Sequence, residues 1–144
     1  KELHEAFPQN VGFKNGLAVS YEKLGDTHRA LGNLQQALGY FEERSRLGKE
    51  LHEAFPQNVG FKNGLAISYY KLGQLYEEKG DMEKAYSYFE KDLEMTELTY
   101  QSSPSNAQFK AYLKISYNNM GAISKKMGKS KLAAAYYEKA KALE

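Results

Sequence analysis

The chain predicts an all-α fold of three antiparallel helix pairs, and three observations carry that expectation. A 48-residue period divides the 144 positions into units 1–48, 49–96 and 97–144. The string KELHEAFPQNVGFKNGLA, Lys1 to Ala18, recurs unchanged from Lys49 to Ala66, and the third unit keeps register through Pro104, Asn106 and Phe109. Within a unit, apolar residues recur at helical spacing: Phe13, Leu17, Tyr21, Leu24, His28 and Leu31, then Leu34, Ala37, Leu38 and Phe41. A fixed period of this size stacks units that bury their faces against neighbours instead of closing one core, and the stack presents an extended surface.

Each element follows from local signals. Lys1 to Phe7 reads as the stub of a preceding helix. Pro8 and Asn10 open the first full helix, with Asn10 as N-cap, expected at about 11–31. Gly32-Asn33 ends it, because Gly suits the left-handed position after a helix and Asn33 can cap the next, expected at about 34–54 and stopped before Pro56. The third helix is expected at about 59–79, the Gly80-Asp81 break repeats the device, and the fourth runs over about 82–102. The fifth is expected at about 107–127 and the sixth at about 130–144, separated by the weaker break Gly128-Lys129-Ser130. The domain organisation is therefore a single repeat array over 1–144.

Composition bounds the function. With 42% hydrophobic and 26% charged residues the chain has material for a core and a soluble surface. No apolar run approaches the roughly 18–20 residues that span a bilayer, and no leader opens the chain, so the expected location is cytoplasmic and no membrane partner is expected. Absence of cysteine excludes disulfides, thiolate zinc sites and a Cys nucleophile. The chain starts at Lys1, without Met and inside a repeat, and so reads as a fragment or an engineered excision of a longer protein. Its charge of +2 is unevenly spread: 6 basic against 6 acidic residues in the first unit, 6 against 9 in the second and 8 against 3 in the third. The resulting 0, −3 and +5 fit solvated faces, or a polar rod that associates end to end through uncapped terminal helices.

The residues resemble the tetratricopeptide repeat family, whose pattern is Trp-x2-Leu-Gly-x2-Tyr, then Ala-x3-Phe, then Pro. The units read Tyr21-x2-Leu24-Gly25-x2-His28 with Ala37-x3-Phe41, Tyr69-x2-Leu72-Gly73-x2-Tyr76 with Ala85-x3-Phe89, and Tyr117-x2-Met120-Gly121-x2-Ser124 with Ala133-x3-Tyr137. Gly25 and Ala37 are small where paired helices must approach closely, and Phe41 fills the space between units. The departure is length: family repeats have about 34 residues. The excess divides evenly, so each helix gains about 7 residues, nearly two turns, with a phase drift of only ~20°. Extended repeats of this style resemble those of cell-polarity adaptors and kinesin light chains, which hold peptide segments in a trough.

That resemblance implies a right-handed superhelical solenoid with first helices on the concave side. Carried over by motif position, the groove would be lined by Val19, Glu22, Asp26 and Arg29, then Ile67, Tyr70, Gln74 and Glu77, then Ile115, Asn118, Ala122 and Lys125. The added turns contribute Asn15, Asn63 and Ala111. The family's carboxylate clamp is absent, since Glu22, Asp26, Lys71, Ile115 and Asn119 stand at its places, so acidic chaperone tails are not the expected ligand.

Chemistry is not indicated elsewhere. His4 and His52 share one repeat position, His28 replaces Tyr76 and Ser124, and none has the i, i+4 partner and carboxylate of a helical zinc site. No phosphate-cradling loop and no nucleophile set occurs, so neither a cofactor nor catalysis is expected. Of the 12 Tyr and 7 Phe, most, including Tyr21, Phe41, Tyr69, Phe89, Tyr117 and Tyr137, fall on repeat core positions and not on a base-stacking platform. Tyr70, where the other units have Glu22 and Asn118, and Tyr112, where they have Gly16 and Gly64, stand apart. Lys125, Lys126, Lys129 and Lys131 crowd one turn without aromatic interleaving, which favours a solvated turn or an acidic-peptide contact over nucleic acid. The expected function is a non-enzymatic protein-interaction scaffold holding a peptide along its first helices. The alternative is a structural spacer or self-assembling rod with no dedicated ligand, a reading favoured by the near identity of the first two units.

Overall fold

Six helices account for most of the computed structural model, which describes residues 9–144, and no strand occurs among them. They are α1 (Gln9–Ala30), α2 (Leu34–Ala54), α3 (Val59–Glu78), α4 (Met82–Ser102), α5 (Ala107–Lys126) and α6 (Ser130–Lys141). The chain divides into two compact units, Lys1–Ser68 and Tyr69–Glu144, and the division falls inside α3 instead of at a 48-residue boundary. The expected stub at Lys1 to Phe7, with Pro8, lies outside the described residues.

In the first unit α1 packs against α2. The small residue at 25 permits that approach: a Cβ on Gly25 would stand 2.8 Å from the Phe41 ring. Phe41, Ala37 and Ala18 are buried there, and Tyr40 stacks on His28 with centroids 5.3 Å apart. The turns of α2 nearest its C-terminus then lie on the start of α3, where Gly48 faces Leu65. Lys14 on α1 reaches Glu50 on α2 at 2.7 Å.

In the second unit the end of α3 meets α4 by the same device, with Gly73 against Phe89 and Tyr76 stacked on Tyr88 at 5.6 Å. Helix α5 packs against both α4 and α6. Gly121 faces Tyr137 on α6, where an added Cβ would stand 2.7 Å from the ring. Tyr137 is nevertheless 39% exposed, against the expectation that it is a core aromatic like Phe41 and Phe89. Its ring fills the notch at Gly121, while part of the residue stays open to solvent.

Helix ends show which sequence signals act. Gly32, Gly80 and Gly128 all take positive φ, and in each case the next residue's N–H bonds the carbonyl five residues back, as Asp81 does to Tyr76 at 2.9 Å. Asp81 then caps α4 by accepting from the Lys84 N–H at 3.1 Å, and Asn106 caps α5 through the N–H groups of Gln108 and Phe109. Two expected caps differ. Asn10 lies inside α1, which begins at Gln9. Asn33 occupies the N-cap of α2 without a capping bond, because its amide lies 3.3 Å from Nδ1 of His28 instead.

Candidate functional site

The residues expected to bind sit on α1, α3 and α5, and the two units are taken in turn. On α1, Val19 and Asp26 are exposed, while Asn15, Glu22 and Arg29 are half-buried. Glu22, one of the expected groove residues, has a partner on the neighbouring helix. Its carboxylate accepts from Nε of Arg44 on α2 at 3.2 Å, so its charge is neutralised by a buried guanidinium. Arg44 fits because both flanking first-unit glycines leave a slot: Cβ atoms on Gly48 and Gly64 would stand 2.9 and 2.5 Å from its guanidinium nitrogens. On α3, Asn63 is half-buried and Ile67 exposed.

In the second unit Tyr70 is half-buried, its ring 6.0 Å from that of Phe89, and its hydroxyl accepts from Nε2 of Gln74 at 2.7 Å. The side chain is thereby held in one orientation with part of its ring available. Glu77 is ion-paired with Lys126, the last residue of α5. On α5, Ile115, Ala122 and Lys125 are exposed and Asn118 is half-buried. Tyr112 is half-buried, and its hydroxyl accepts from Nε2 of Gln108 one turn away at 2.6 Å. In the lysine-rich turn, Lys129 lies over the Tyr86 ring at 5.4 Å, as Lys84 lies over Tyr76 at 5.2 Å. These cations are engaged with aromatic faces of their own unit.

One repeat position unites the expected residues. Val19, Ile67 and Ile115 are each 48 residues apart, and all three are exposed, to 41, 36 and 53%. A core position would not keep a β-branched apolar residue open to solvent in every copy.

A buried polar cluster was not foreseen. Asp92 on α4 is enclosed between helices, and its carboxylate accepts from Thr96 Oγ1 at 3.1 Å and from Ser116 Oγ on α5 at 3.4 Å. Burial pushes its pKa up to about 7, only partly opposed by the two hydroxyl donors. Nearby, Tyr117 donates to Glu97 at 2.9 Å, and burial together with that carboxylate raises the phenol to about 12. Aligning the units gives no signal for the site, since position 92 corresponds to Arg44 and Ala140, yet all three are buried. A charged residue on a helix carries no local sign of burial, because the second helix's far side is covered only once the next first helix packs on it.

Among the described residues no group of His, Cys, Asp and Glu is arranged to hold a metal ion, and no helix is long and apolar enough to cross a membrane. Family models described as tetratricopeptide repeat match residues 17–54, 66–97 and 115–144, so one match begins in each 48-residue copy. No curated protein matches the chain.

Proposed function

From a chain that belongs to the tetratricopeptide repeat family, we propose a peptide-binding scaffold that engages its ligand through the first-helix faces of its repeats. Repeats of this family are in general protein–protein interaction modules and of scaffold type, not catalytic. The finer reading is supported by the recurrence of Val19, Ile67 and Ile115 as exposed apolar residues at one repeat position, each flanked one turn on by a polar or aromatic partner, Glu22, Tyr70 and Asn118. Such an anchor seats an apolar peptide side chain, and a neighbouring amide or hydroxyl bonds its backbone. The pairing of Glu22 with Arg44 and of Glu77 with Lys126 removes two carboxylates from recognition, which leaves apolar contact as the main source of affinity.

The test is selection of peptides from a random display library on the whole chain, followed by titration of the winners against variants. Ile115→Glu and Tyr70→Ala are each expected to weaken binding by roughly 10- to 30-fold while leaving the thermal transition in place. Selected peptides that bind both variants undiminished would move the site off these faces. A library that yields no binder at all would favour the spacer reading.

A further inference from the structure

We infer that Arg44 is an anion anchor: the terminal edge of its guanidinium takes a carboxylate carried by the bound peptide. The chain has arginines at 29, 44 and 46, and the last two spend their donors in opposite ways. Arg46, whose side chain is 53% exposed, gives both terminal nitrogens to carboxylates, Nη1 to Glu50 and Nη2 to Glu43, each at 2.9 Å. Arg44 has only 7% of its side chain exposed and donates through Nε alone, to Glu22 at 3.2 Å. Among the described residues neither of its terminal nitrogens has an acceptor. A buried guanidinium is costly unless its N–H groups are bonded, and the edge without partners is the one that a carboxylate fits with two parallel bonds.

The surroundings make room for that edge. Cβ atoms on Gly48 and Gly64 would stand 2.9 Å from Nη1 and 2.5 Å from Nη2, so a side chain at either position would displace the fork. The second repeat lacks the device: Asp92 stands for Arg44, Thr96 for Gly48 and Tyr112 for Gly64. In the third, Ala140 has no charge to offer. The anchor therefore occurs once in the chain, and a bidentate contact made once fixes a ligand's position on otherwise similar repeats.

Arg44 belongs to a second helix, yet its guanidinium lies against Glu22 on α1 and Gly64 on α3, the residue after Asn63. Glu22 and Asn63 are both expected groove residues. The inference deepens the peptide-binding reading and rests on it for the source of the carboxylate, an acidic side chain or a C-terminus; the anion site itself does not depend on it. Glu22 shares the guanidinium from the Nε side, so a second carboxylate meets like-charge repulsion. Opposite sides of a planar, delocalised cation keep the two carboxylates apart, and low exposure strengthens both attractions.

NMR of the Arg44 side-chain N–H groups tests this on the whole chain, with sodium acetate titrated against sodium chloride at equal ionic strength. The signals are assigned by their loss in Arg44→Lys. The expected result is a saturable, acetate-specific shift at Arg44 and a much smaller one at Arg46, whose fork is filled. Followed at the Gly64 amide, Arg44→Lys should bind acetate at least about tenfold more weakly, because it keeps the charge beside Glu22 but not the fork. Gly64→Ala, which pushes Nη2 aside, should do the same, with circular dichroism confirming that both variants remain helical. Glu22→Gln should bind acetate severalfold tighter, whereas a guanidinium present only to neutralise Glu22 would gain nothing. Library-selected peptides remade with a C-terminal amide, or with Glu and Asp changed to Gln and Asn, tell a terminal from a side-chain carboxylate. Acetate that matches chloride at Arg44, or binding unchanged in both Arg44→Lys and Gly64→Ala, would overturn the anchor, and peptides indifferent to both changes would overturn its part in recognition. Acetate held at Arg44 by a chain that selects no peptide would support the anion site and remove the peptide reading alone.

Discussion

Replacing Asp92 by Asn removes one ionisable group from the α4–α5 contact and little else, since the amide oxygen can still accept from Thr96, the amide N–H can donate to the Ser116 hydroxyl oxygen in place of accepting from it, and the volume is nearly the same. The native carboxyl holds its proton to about pH 7, whereas its ordinary value is 3.8. Between those limits the folded state binds more protons than the unfolded state, so this group's contribution to stability falls as pH rises. The slope is at most about 1.4 kcal/mol per pH unit, and the full interval amounts to about 4 kcal/mol. Below the lower limit both states are protonated and the contribution is complete; above about 7 it is lost. Urea unfolding of parent and Asp92→Asn at roughly pH 5 to 8 isolates the group, because every other titration is common to both proteins. The variant should overtake the parent as pH rises and exceed it by about 2–4 kcal/mol at the alkaline end. Parallel curves across that range would show that Asp92 is ionised and solvated in the folded state, and the enclosed geometry would then be wrong.

Two further changes test the packing and the caps. Gly73→Leu drives a side chain into the Phe89 ring, which already lies 2.7 Å from a Cβ at that position, and should cost about 1–3 kcal/mol or more in denaturation; a variant as stable as the parent would refute the close approach of α3 and α4. Asp81→Ala should cost about 1 kcal/mol because a capping bond is lost, while Asn33→Ala should cost clearly less because none is made; equal losses in thermal melts would contradict the two cap geometries.

The helices, their breaks and the family were legible in the residues, because the signals involved are local. Apolar spacing, Gly at a positive-φ position and a following Asp or Asn act within one or two turns, and those turns exist whatever the rest of the chain does. Even so, Asn33 shows the limit: the residue type suits a cap, but its amide lies beside His28, a partner that only the folded turn supplies. The exposed apolar position at Val19, Ile67 and Ile115 could be named from the motif, yet its openness in all three copies is a property of packing.

What tertiary structure alone decided is the environment of identical or equivalent residues. Arg44 and Asp92 occupy one repeat position on opposite sides of the charge scale, and each is buried because a following first helix covers it, with glycines making room for the guanidinium and hydroxyls solvating the carboxyl. Leu17 and Leu65 lie in the same 18-residue string, but Leu65 is buried beneath α2 while Leu17 stays partly open. A sequence specifies which side of a helix is apolar; whether that side becomes core depends on which helix arrives to cover it.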